Sequence, residues 1–234
     1  MNIIYEKNKE QGSIKAAEII IEALESGAKV FGLATGSTPE IVYDQLIASD
    51  ADFSDAVSVN LDEYVGLAGD HEQSYQYFMD KKLFDHKPFK ATYVPNGTNE
   101  EEAEIERYEE ILAENPVDLQ LLGIGQNGHI AFNEPGTPLD SVTHKVELTD
   151  STIQANKRNF EKEEDVPRYA YSMGLSSIMQ AKKIILLAFG EEKAEAIRDL
   201  VTAEVATEDI PSTVLINHPD VTIIVDEAAA KLIK

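Results

Sequence analysis

The chain has 234 residues, 43% of them apolar, and carries 43 Asp and Glu against 20 Lys and Arg, a formal net charge of -23. That length and apolar content suffice for one α/β domain with a real core, while the charge argues against a nucleic-acid partner, which needs a basic face. Zero cysteines exclude disulfides, thiolate metal sites and a cysteine nucleophile, and fit a reducing compartment.

Residues 1–7 lack a basic stretch followed by an apolar one, and no apolar run approaches the roughly 20 residues of a membrane span. The expectation is a soluble, cytoplasmic protein. Residues 3–6 read as a short edge strand; Ile14, Ala17, Ile20, Ile21 and Leu24 then recur at helical spacing up to Gly27, a helix stop. A strand at 29–33 runs into Ala34-Thr35-Gly36-Ser37-Thr38-Pro39-Glu40, a glycine turn with a Thr suited to capping and Pro at the first helical position. Residues 57–61 form the next strand, ending in Asp62-Glu63-Tyr64, and 72–84 has a helical pattern around Tyr75, Phe78, Met79 and Leu83. After an edge strand at 93–94, Asn99 is placed to cap an acidic helix with Ile105, Tyr108, Ile111 and Leu112 on its inner face.

The apolar run 117–124 reads as a buried strand that delivers GIGQNGHIAFNEPGTP, residues 123–138. Beyond it, 144–148 alternates as a strand, 149–166 is polar and reads as a lid or connection, and 172–182 as a helix. Residues 184–189 are the clearest buried strand; Gly190 leads into a helix at 191–201, and a strand at 221–225 precedes a terminal helix at 226–232. This alternation predicts a single domain over 1–234 with an open, mostly parallel sheet and helices on both faces.

In such sheets ligands bind at the carboxyl ends of the strands, where four loops carry chemistry. Backbone N–H groups and the hydroxyls of Ser37 and Thr38 in GLATGSTP suit an oxyanion; the loop is neither Walker A nor GxGxxG, so no nucleotide is indicated, and a tight turn with an ordinary cap is the plain alternative. Asp62 and Glu63 are either a solvated acidic pair or hold a base for carbon–hydrogen cleavage. His129 with Glu134 as partner suits a proton-transfer pair, with Asn127 and Asn133 adding hydrogen-bonding groups; a structural histidine is the plain alternative, weakened because Gly123, Gly125 and Gly128 suggest close backbone approach. A metal held by Asp62, Glu63, His129 and Glu134 is a rival, though no HExxH or paired-His spacing supports it. Of the cations in this acidic chain, Lys157, Arg158, Arg168 and Lys193 are the candidate anion partners, Lys193 the best placed, three residues past a strand-to-helix turn, and Arg158 lying in the lid segment.

Together GLATGSTPE, NLDEYVGL with the following SYQYF, and GIGQNGHIAFNEPGTP resemble the glucosamine-6-phosphate deaminase family, in order and spacing, over essentially the whole chain. The resemblance implies a Rossmann-like fold and conversion of glucosamine 6-phosphate and water into fructose 6-phosphate and ammonia, without metal or organic cofactor. It implies Asp62 as the base at C2, His129 as the ring-opening group oriented by Glu134, and Gly36, Ser37, Thr38, Arg158 and Lys193 as phosphate ligands. Some members carry Asp where this chain has Asn127. An amide cannot supply the negative charge that strengthens an imidazole as a base, so Asn127 is expected to orient groups by hydrogen bonding and Glu134 to carry the electrostatic role alone. Larger, allosterically activated hexameric members place basic residues where this chain has His144 and Val146, which points to an unregulated monomer or small homo-oligomer. Rivals are 6-phosphogluconolactonase, which has no carbon acid to justify Asp62, and a sugar-phosphate sensor, expected to lack the acid–base set and to carry a DNA-binding appendage.

Overall fold

A computed structural model describes residues 1–149, 153, 160 and 165–234. Seven strands form the main sheet: β1 (Asn2–Glu6), β2 (Val30–Leu33), β3 (Val57–Asn60), β5 (Ala91–Tyr93), β6 (Leu119–Gly123), β9 (Lys183–Ala188) and β10 (Val221–Asp226). Their order is β1-β10-β9-β6-β2-β3-β5 and every neighbouring pair is parallel. Three shorter strands, β4 (Asp62–Tyr64), β7 (His144–Glu147) and β8 (Tyr169–Ser172), form a second, antiparallel sheet in the order β4-β8-β7.

Both faces of the main sheet are covered, which is why its central strands read as continuous apolar runs. On one face Phe31, Leu33, Leu121, Ile185 and Leu187 pack with Ala17, Ile20, Val42 and Tyr43 from α1 (Lys9–Glu25) and α2 (Glu40–Ala48). On the other, Val59, Leu122, Leu186 and Ile223 meet Tyr108 of α4 (Glu101–Glu114), Ile178 of α5 (Leu175–Met179) and Ile197 and Leu200 of α6 (Ala194–Thr202). From β2 the chain winds outward through β3 to β5; from β6 it winds the other way through β9 to β10. The switch between β2 and β6 opens a crevice at their carboxyl ends, the position where an open α/β sheet takes its ligand.

Several expectations are corrected. Residues 62–64 and 169–172 are strands, because each pairs with the other; the helix expected at 172–182 is accordingly confined to α5. The helix expected over 72–84 is α3 (Tyr75–Met79) continued by a π-helical turn, Asp80–Phe84. Helix α2 begins at Glu40, with Pro39 in the capping position and no side-chain cap; α4 is preceded by Glu100, and Asn99 donates to the buried Glu104 carboxylate at 2.7 Å instead of capping. Residues 227–233 form turns, not a terminal helix, while Asp226 turns back to accept N–H groups from Gly190 and Ala229. The lid expected at 149–166, with Lys157 and Arg158, lies mostly outside the described residues.

Candidate active site

The crevice is a cavity of about 590 Å³ whose walls include Gly36, Thr38, Asp62, Tyr75, Asn127, His129, Glu134 and Lys193. Gly36, Thr38, Asn127, His129 and Glu134 lie in loops that follow strands and Lys193 in the turn after β9, while Asp62 opens β4 and Tyr75 opens α3.

After β2, the turn at Gly36 requires φ = 87°, which glycine adopts without the Cβ penalty, and the chain then enters α2. The backbone N–H groups of Gly36, Ser37 and Thr38 donate to no acceptor among the described residues. Gly36 and Thr38 face the cavity; Ser37 is exposed and is not part of its wall.

Strand β4 separates the two acidic residues, since alternate side chains of a strand point to opposite sides. Asp62 turns into the cavity, is 7% exposed and accepts no hydrogen bond from any described residue. Burial, reinforced by the neighbouring Glu63 charge, pushes its carboxyl from 3.8 up to about 8. Glu63, 1% exposed, turns the other way and accepts the N–H groups of Tyr64, Tyr75 and Gln76 at 2.8, 2.9 and 2.9 Å, so it caps α3 together with Ser74. Its carboxyl is raised to about 7 by burial, against those three donors.

The loop after β6 gathers His129, Asn127 and Glu134 into one cluster. Its carbonyls and amides close on themselves and on neighbouring loops: Gly125 N–H donates to His129 O, Gly128 N–H to Gly125 O, and Ser212 N–H to Gly128 O. The His129 ring lies so close over Gly125 that a Cβ at that position would collide with it. His129 Nδ1 is 2.7 Å from Asn127 Oδ1 and 3.4 Å from Glu134 Oε2, while Asn127 Nδ2 donates to the same Glu134 oxygen at 2.8 Å. Both groups facing Nδ1 are acceptors, which assigns the proton to Nδ1 and leaves the lone pair on Nε2. Asn127 thus hydrogen-bonds to both partners, and it is Asn127 rather than Glu134 that makes the short contact to the ring. Asn133 belongs to the framework: buried, it donates to the carbonyls of Ile130 and Met173.

Lys193 is positioned by the turn after β9, where Gly190 (φ 96°) donates to the Asp226 carboxylate and accepts from the Lys193 N–H. Its ammonium forms no ion pair among the described residues, and burial pulls its pKa below the usual lysine value, with the Glu192 charge opposing. Arg168 is exposed and away from the cavity. No three of the Asp, Glu and His residues described come together as a metal-binding group.

Two features escaped the sequence reading. Tyr75 lines the cavity; its ring stacks on Phe132 and its hydroxyl meets that of Tyr64 at 3.2 Å, an aromatic wall beside Asp62. Ala131, also in the wall, has φ = 52°, a left-handed backbone that costs a non-glycine residue of order 1 kcal/mol or more. Tyr75 lies in SYQYF, which carried part of the family resemblance and a helix pattern but no site role; a strained alanine leaves no sequence trace.

Comparison with known proteins places this geometry. The family model described as "Glucosamine-6-phosphate isomerases/6-phosphogluconolactonase" matches residues 8–224. The chain is 61% identical to a glucosamine-6-phosphate deaminase of Enterococcus faecalis over 98% of this chain and 99% of that one, and 58% identical to one of Lactobacillus johnsonii over 99% and 98%. Among solved structures, a monomeric glucosamine-6-phosphate deaminase superposes with a TM-score of 0.93 at 41% identity, covering 99% of this chain and all of that one. A 6-phosphogluconolactonase of Trypanosoma brucei shares the fold, with a TM-score of 0.81 at 20% identity over 100% of this chain and 98% of that one. The chain belongs to the family of glucosamine-6-phosphate isomerases and 6-phosphogluconolactonases.

Proposed function

We propose that this chain converts glucosamine 6-phosphate and water into fructose 6-phosphate and ammonia, and that the roles of its residues follow from the cavity. The observation that carries the reading is Asp62: a buried carboxyl, unpartnered among the described residues, on the same cavity as the His129–Asn127–Glu134 group, where a lactone hydrolase has no carbon acid for it to deprotonate. Full-length identity of 61% to a glucosamine-6-phosphate deaminase supports the same activity.

His129 Nε2 moves a proton between the anomeric hydroxyl and the ring oxygen, opening the pyranose to the aldehyde; Asn127 and Glu134 hold the tautomer this requires. Asp62 then takes the proton from C2, the bonding electrons passing toward C1 to give an enolamine, and returns it to C1, leaving an imine at C2. Water adds at C2 and ammonia departs, giving the ketose. Burial makes Asp62 a stronger base than an exposed carboxylate once it is ionised. The phosphate sits at Gly36, Ser37 and Thr38 at the start of α2, with Lys193 as counter-charge and Arg158 as a second, and holding it there positions C2 over Asp62.

A cytoplasmic setting and a monomeric state complete the proposal, supported respectively by a cysteine-free composition and by the structural relative described as monomeric. No described helix is long and apolar enough to cross a membrane. The test is to incubate the purified chain with glucosamine 6-phosphate: fructose 6-phosphate and ammonia in equal amounts are expected. No product from folded protein, or hydrolysis of 6-phosphogluconolactone instead, overturns the reading.

A further inference from the structure

The first residue of α1 touches the anion loop from behind. Lys9 Nζ donates to the carbonyl oxygen of Ser37 at 2.6 Å, across 28 residues of sequence. A cation in the first turn of a helix opposes the helix dipole, and α1 already has its cap, the Asn8 side chain accepting from Gln11 N–H. Nor does Lys9 form an ion pair with any described carboxylate, in a chain with 43 of them in its sequence. The one hydrogen bond made by this ammonium among the described residues is to that carbonyl.

Geometry gives the contact a consequence. No peptide bond among the described residues is cis, and across a trans, planar peptide the C=O of one residue and the N–H of the next point in opposite directions. Fixing the Ser37 oxygen therefore fixes the Thr38 N–H on the side facing away from Lys9. Lys9 and Ser37 lie outside the cavity wall, whereas Gly36 and Thr38 belong to it. The 37–38 peptide turns about Ser37 ψ and Thr38 φ, and its Thr38 N–H donates to no described acceptor that would hold it; turned over, the peptide would aim a carbonyl at the anion and repel it.

We propose that Lys9 is a positioning residue of the anion loop, gripping the Ser37 carbonyl from outside so that the 37–38 peptide presents its N–H to the phosphate ester of the substrate. The proposal rests on reading 36–38 as the phosphate site. Because Lys9 sits against the α1 dipole, removing its charge leaves the fold intact, and the effect falls on binding alone.

The experiment compares the full chain with Lys9→Met, Lys9→Arg and Lys193→Met, measuring kcat and KM for glucosamine 6-phosphate and, by calorimetry, the Kd of inorganic phosphate. Lys9→Met is expected to raise both KM and the phosphate Kd by a common factor of about ten, the size of one lost charge-assisted hydrogen bond, with kcat and thermal midpoint unchanged. Lys9→Arg restores both. If Lys193→Met weakens phosphate binding and Lys9→Met does not, the proposal for Lys9 is overturned while the phosphate site stands. If neither variant alters phosphate binding, the site reading fails and the Lys9 proposal with it. A fall in kcat at constant KM also overturns it.

Discussion

Replacing Asp62 by Asn should abolish catalysis and stabilise the protein, by an amount that depends on pH. In the fold the carboxyl is raised from 3.8 to about 8, first by burial and then by the Glu63 charge. Between those two values the native state keeps a proton that the unfolded chain has released, so the wild type loses stability as pH rises through that window, until the folded group ionises too. At about 1.36 kcal/mol for each pH unit, the loss between pH 4 and 7 is on the order of 4 kcal/mol. The amide of the Asp62→Asn variant would carry no such cost, and Glu63 stays in both proteins. Urea denaturation of the two is expected to give nearly equal stabilities near pH 4 and a gap of a few kcal/mol favouring the variant at pH 7 to 8. In parallel, exchange of the substrate C2 proton with solvent should be lost. A gap that does not change with pH, or a variant less stable at pH 8, would refute the burial argument; persistent C2 exchange would remove Asp62 as the base.

If Asp62 is the base it must be ionised to act, and kcat/KM should rise with pH through neutrality toward about 8; a profile already flat from pH 5 upward contradicts this. Asn127→Ala removes both the acceptor at 2.7 Å from His129 Nδ1 and the donor to Glu134, and kcat should fall about 10- to 100-fold with the thermal midpoint little changed; equal kcat would mean the tautomer is held by other groups. Gly125→Ala places a methyl where the His129 ring lies, so ring opening should become rate-limiting, seen as greater activity on open-chain than on cyclic substrate analogues. With Arg158→Ala, an unchanged KM would strike that residue from the phosphate ligands.

What the sequence disclosed and what it withheld divide along physical lines. Strands buried on both faces, such as 184–189, announce themselves by unbroken apolar runs, and the glycine turns at Gly36 and Gly190 mark where those strands end. Strand β4 gave no such signal, since Asp and Glu disfavour strands and a single Tyr makes no apolar run; it exists because β8 pairs with it across a long sequence separation. Missing that strand also hid the split between Asp62 and Glu63, which only alternation makes visible. That Asn127 orients groups by hydrogen bonding followed from the family resemblance and the chemistry of an amide; its short contact to the His129 ring was not legible, because it depends on how the loop folds. The carbonyl grip of Lys9 was not, because it joins two segments whose proximity depends on α1 and α2 packing side by side.

The site straddles a structural seam. Leu61 donates its N–H to Leu33 of the main sheet and accepts from Met173, next to the small one, and on either side of that residue the two sheets go separate ways. The Gly36 turn and the His129 loop hang from the large sheet; Asp62, the proposed base, rides on the small. On the proposed reading, the hold on the phosphorylated sugar and the chemistry at C2 are carried by separate sheets, so the three residues of β4 can be altered while the loops that would grasp the substrate keep their support.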